Sequence, residues 1–146
     1  MGRTTSHRGF TILELMIAVG IIALMAAMVI VIIDPKKQLS EARNAVRRAD
    51  VNIILNAVET YARDHGGSLP ETITTSETEI CRIEKGIDCT GLIDLRTLSG
   101  TYVLTLPIDP STMTGASTSY TIFRTGQNVI VGAPLAEKGM TIRTGR

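Results

Sequence analysis

From Phe10 to Ile33 the chain reads FTILELMIAVGIIALMAAMVIVII, and between Glu14 and Asp34 it carries no charged side chain. At about 1.5 Å of rise per residue, the roughly 19 residues from Leu15 to Ile33 make a helix about as long as the hydrocarbon core of a bilayer is thick. A core helix of that length keeps a polar face for water, and this one has none. The segment is therefore expected to cross a membrane. Arg3 and Arg8 precede it and no acidic residue falls among the first nine. By the positive-inside tendency the N-terminus stays cytoplasmic and the remainder is carried across. Lys36 and Lys37 on the far side oppose that orientation and are partly offset by Asp34 and Glu41.

A secretory signal peptide also has a basic start and an apolar run, but its run is about 7–15 residues and ends at an A-x-A-like cut. Here the run is longer, and Ala18, Ala23, Ala26 and Ala27 never stand two apart. Glu14 lies about one helical turn inside the run, where a carboxylate is expensive and marks a functional position. Cleavage between Gly9 and Phe10 would place a new α-ammonium on Phe10, at the positive end of the helix dipole. The i, i+4 spacing puts that amine and Glu14 on one helix face. Between subunits, the carboxylate of one copy would meet the amine of the next, and either pairing relieves the cost of a lone buried charge. The competing reading leaves Glu14 at headgroup depth, reaching for water.

The run Arg8-Gly9-Phe10-Thr11-Ile12-Leu13-Glu14-Leu15-Met16 closely resembles the leader junction and N-terminal helix of type IV prepilins and pseudopilins. In that family a short basic leader ends in Gly, the next residue is commonly Phe, and a Glu follows four residues later. The resemblance implies removal of a leader, residues 1–9, by a membrane-embedded prepilin peptidase that cuts between Gly9 and Phe10. It also implies N-methylation of Phe10 and use of Glu14 in docking to a neighbouring subunit. The implied function is a structural subunit of a type IV pilus or a type II secretion-type pseudopilus. Its implied partners are copies of itself in a helical filament, the prepilin peptidase/methyltransferase, a pilus or secretion assembly platform, and membrane lipid. The implied location is a single pass through the cytoplasmic (inner) membrane with the head extracytoplasmic, then a cell-surface filament. The alternative is a membrane-anchored extracytoplasmic binding domain that never polymerises and keeps Met1 to Gly9.

Beyond the span, Asp34-Pro35 could start a new helix or kink a continuing one, since Asp is a good N-cap and Pro suits the first helical position, and the register restarts there. Apolar residues then recur at Leu39, Ala42, Val46, Ala49, Ile53, Ala57 and Tyr61, with Ala45, Ile54 and Val58 widening the stripe. Lys36, Glu41, Arg43, Arg47, Arg48, Asp50, Asn52, Glu59 and Arg63 fall on the other side. The stripe is expected to pack on the head's own sheet and the charged side to face solvent or a partner. Gly66, Gly67 and Pro70 end the pattern. This gives a transmembrane or filament-core helix at 10–33, an amphipathic helix at 34–66 and a globular head at 67–146. The expected fold class is α+β, one long N-terminal helix packed on a small antiparallel sheet, which is also the pilin architecture that the resemblance implies. Residues 71–100 read as a loop with a short helix. Strands are expected at Tyr102-Val103-Leu104, Tyr120–Phe123 and Val129–Val131, about three in all.

Fifteen basic and 14 acidic side chains leave a net charge of +1, which gives no reason to expect a polyanion as partner, and an aromatic content of 3% offers few platforms for nucleobases. Nucleic acid is accordingly not an expected partner. Cys81 and Cys89 lie on the side expected to be oxidising, where a disulfide persists, with free thiols as the competing reading. Their C-x7-C spacing and the remoteness of His7 and His65 speak against a metal site. Asp109, with the hydroxyls of Ser111 and Thr112, offers one carboxylate, too few for calcium. No G-x-S-x-G, H-E-x-x-H, phosphate-binding glycine loop or Cys-x-x-Cys occurs. Neither enzyme activity nor a cofactor is expected.

Overall fold

The computed structural model describes residues 9–84 and 86–146, leaving aside the side chains of residues 31–33. Two helices come first, α1 (Ile12–Ile33) and α2 (Pro35–Asp64). Strands β1 (Thr78–Cys81), β2 (Ser117–Thr125), β3 (Asn128–Ala133) and β4 (Ile142–Gly145) follow, with a 3₁₀ turn at Arg96–Leu98. The fold is α+β, and the chain divides into two compact units, Met1–Gln38 and Leu39–Arg146.

Of the two outcomes open at Asp34-Pro35, a kink or a new helix, the chain takes the second, and the break falls at Asp34. This residue closes α1 in the left-handed conformation (φ 42°, ψ 80°), which a short Asp side chain tolerates better than most. It then caps α2: the Lys37 amide donates to its carbonyl (3.0 Å) and its carboxylate (3.2 Å), and the Gln38 amide to its carbonyl (3.2 Å). Pro35, with no amide hydrogen to satisfy, starts α2 where that loss is harmless. At the other end the Gly67 amide reaches back to the Ala62 carbonyl (2.7 Å) across Gly66, whose φ of 65° only glycine adopts freely. That closure stops the helix where the sequence places its glycines.

In the second unit the sheet runs β1-β2-β3-β4, every pair antiparallel. β2 and β3 form a hairpin over Gly126-Gln127, with Gly126 at φ 63° in the first loop position. Tyr120, Ile122, Val129, Val131, Ala133 and Ile142 bury one sheet face together with Val51, Ile54, Leu55, Ala57 and Val58 of α2. Each large side chain so buried contributes about 1.5–3 kcal/mol. Ile73, Leu95, Leu98 and Leu106 from the connecting segments complete the core.

Three expectations about this unit are corrected. The sheet has four strands rather than about three. Tyr102-Val103-Leu104 is not one of them: the Tyr102 and Val103 amides both turn back to the Leu98 carbonyl (3.0 and 3.1 Å), which makes a turn. β1 instead arises within the stretch read as loop, and β4 near the C-terminal side, each only four residues long.

The phase of α2 also differs. The face turned into the unit carries Asn44, Arg47, Val51, Ile54, Leu55, Ala57 and Val58, so Arg47, expected to face solvent or a partner, is buried within the unit. The first part of the expected packing stripe looks outward: Leu39, Val46 and Ile53 are 56%, 47% and 45% exposed, and Ala42 and Ala49 between them are exposed too. The helix carries two apolar rows, and the sheet takes the one through Ile54 and Val58.

Candidate processing site and assembly surfaces

Gly9 and Phe10 precede α1 outside any helical turn, and both are exposed, Phe10 by 81%. Thr11 is the N-cap: in extended conformation (φ −76°, ψ 150°), its Oγ1 accepts the Glu14 amide at 3.2 Å. The Leu15 amide then donates to the Thr11 carbonyl at 3.1 Å. Thr-x-x-Glu is the sequence signature of a capped helix start, a signal present at Thr11 that the leader motif overshadowed. Because Phe10 stands before the cap, it is not one helical turn from Glu14. In the uncut chain Phe10 and Glu14 therefore do not share a helix face. The Glu14 side chain is exposed and forms no hydrogen bond or ion pair among the described residues. Arg3 and Arg8 of the expected leader lie outside the described residues.

From Ile12 to Ile30, 19 residues of α1 have a mean hydropathy of 2.6 and none is buried. Apart from Glu14, this helix presents apolar side chains all round, and nothing among the described residues covers them.

The polar chemistry of the head is organised around Arg47. Its side chain is fully buried, and each of its five N–H groups finds an acceptor. Nε donates to Asp109 Oδ2 (2.6 Å) and Nη2 to Asp109 Oδ1 (3.0 Å) and Ser111 Oγ (2.7 Å). Nη1 donates to Asn44 Oδ1 (2.9 Å) and Glu137 Oε1 (3.0 Å). Asn44 bonds both ways with the Glu137 backbone, at 3.0 Å each. Arg43 adds a second guanidinium to the Glu137 carboxylate. The Arg43 hydrogen bond, then those of Ser40 and Arg47, hold Glu137 well below the usual carboxylate range. The bond to Asp109 raises Arg47 further above its usual value.

Beside this cluster the Tyr120 hydroxyl donates to Asp50 Oδ2 at 2.6 Å. Burial raises Asp50, the Tyr120 bond opposing it; burial and the Asp50 contact push the Tyr120 phenol far up. Asp109, weighed as a calcium contact, is committed to Arg47. Among the described residues no group of three or more His, Cys, Asp or Glu side chains converges. Glu137 escaped sequence reasoning because it sits in a loop without a motif.

Cys81 and Cys89 are joined by a disulfide with Cα atoms 5.5 Å apart. It ties the end of β1 to the loop leading into the 3₁₀ turn, where the Arg96 guanidinium donates to the Ile87 carbonyl at 3.0 Å.

Residues 4–30 match the family model described as the prokaryotic N-terminal methylation motif. The N-terminal segment is thus a type IV prepilin-like leader and apolar helix. No curated protein and no solved structure matches the chain.

Proposed function

We propose that this chain is a structural, non-enzymatic subunit of a type IV pilus or a type II secretion-type pseudopilus. It is stored as a single-pass protein of the cytoplasmic membrane and polymerised after cleavage between Gly9 and Phe10. The carrying observation is the methylation motif at residues 4–30 on a helix with no buried side chain from Ile12 to Ile30. Such a helix exchanges lipid for sister helices without changing the polarity of its surroundings, and burial of its large apolar side chains outweighs any single polar contact. In this reading Glu14 answers the N-methylated amine of Phe10 on a neighbouring subunit and sets register rather than strength. Phe10 standing ahead of the helix cap favours pairing between copies over pairing within one.

The alternative, an anchored head that never polymerises, has no use for a second apolar surface beyond the span. The outward row Leu39, Ala42, Val46, Ala49 and Ile53 on α2 therefore supports the filament reading. The disulfide in the head accords with delivery to an oxidising compartment. Mass analysis of the N-terminus of material sheared from cells tests the proposal. A filament subunit begins at N-methylated Phe10, whereas a plain anchor keeps Met1 to Gly9 and is not recovered in the sheared fraction.

A further inference from the structure

We propose that Thr11 is a positioning residue for leader removal: its hydroxyl caps α1 so that the Gly9–Phe10 peptide bond stays outside the helix and open to the peptidase. The inference rests on the reading that the chain is cut at that bond. In an α-helix the Glu14 amide would donate to the carbonyl four residues back, that of Phe10. Here the Thr11 side chain has taken that donor, at 3.2 Å. The first helical bond runs from Leu15 to the Thr11 carbonyl, and among the described residues the Phe10 carbonyl accepts no hydrogen bond. Gly9 and Phe10 are thereby left exposed and non-helical.

A peptide bond drawn into a helix is cleaved only through local opening, and the rate then follows the open population. Susceptibility follows from the hydrogen bonding and burial of the backbone at the bond itself, not from its place in the sequence. Replacing Thr11 by Ala frees the Glu14 amide and installs the best helix former at the same site. The helix then starts at Phe10, with Gly9 as a substitute cap, and the scissile bond becomes part of the first turn. Converting the usual strength of an N-cap into a population gives a slowing of roughly three- to tenfold.

The test uses the full-length precursor in membranes with a prepilin peptidase, following the ratio of precursor to mature chain over time. The series is wild type, Thr11→Ser, Thr11→Asn, Thr11→Val and Thr11→Ala, with membrane insertion checked for each. Ser and Asn cap helices, whereas Val keeps the shape of Thr without the hydroxyl. Cleavage near the wild-type rate for Ser and Asn, with Val and Ala slowed several-fold, is the expected pattern. Val cut as fast as wild type would overturn the proposal, since shape and not capping would then be what the peptidase needs. Wild-type chain left uncut after Gly9 would instead overturn the cleavage reading, and this inference with it.

Discussion

Arg47 and Asp109, one on α2 and the other on the segment leading into β2, are each fully shielded from solvent and meet through two hydrogen bonds of 2.6 and 3.0 Å. Asp109 also accepts the Ser111 amide (2.8 Å), and its own amide donates to the Thr118 carbonyl (3.0 Å). The pair thus fixes the loop before β2 against the helix from both ends of the carboxylate.

Removing one partner leaves the other charge buried without compensation. Arg47→Met or Asp109→Asn is expected to lower stability by about 3–5 kcal/mol. The double variant Arg47→Met/Asp109→Leu should recover much of that loss. Urea denaturation of the full chain in detergent, followed by circular dichroism, measures all three; equal losses in single and double variants would contradict the pairing.

Acid should weaken the head through Glu137. Its carboxyl lies below the reference value of 4.5 in the folded state. Its contribution is therefore complete above pH 4.5 and is lost as pH falls from there toward the folded value. Asp50 is shifted upward and acts in the opposite sense, favouring the fold as it takes up a proton near and above 3.8. The urea midpoint of wild type should drop between about pH 5 and pH 2.5, and Glu137→Gln should flatten that drop.

The outward row of α2 separates folding from assembly. Val46→Lys and Ile53→Lys change exposed positions away from the core, so each should leave head stability within about 0.5 kcal/mol. Sheared filament yield should fall sharply in both. Normal yield from both would remove this surface from the assembly.

Glu14→Ala should leave membrane insertion intact, because it removes the one charge from an apolar span. Assembly should decrease, since the neighbour's amine loses its counter-charge. Membrane fractionation and filament yield from the same cells report the two effects separately.

The apolar helix was legible in the sequence because 19 consecutive uncharged residues, Leu15 to Ile33, leave it no polar face. The end of α2 was equally plain from Gly66 and Gly67. The face that α2 buries was not, since two apolar rows run along it and periodicity cannot say which one the sheet takes. Arg47 was misplaced for a related reason: a buried guanidinium needs its counter-charges, and these carboxylates come from residues 62 and 90 positions away. β1 and β4 are too short to show alternation, and β4 carries Arg143 and Gly145 where a strand signal would want β-branched residues. The N-terminal methylation motif was read directly from the residues, while the Thr11 cap within it was not.

The Cys81–Cys89 bridge gives each copy a chemical timestamp. If the head is exported as proposed, a copy still on the reducing side would carry two alkylatable thiols and an exported one none. On that reading, trapping with a maleimide reagent would sort newly made chains from translocated ones without substituting any residue.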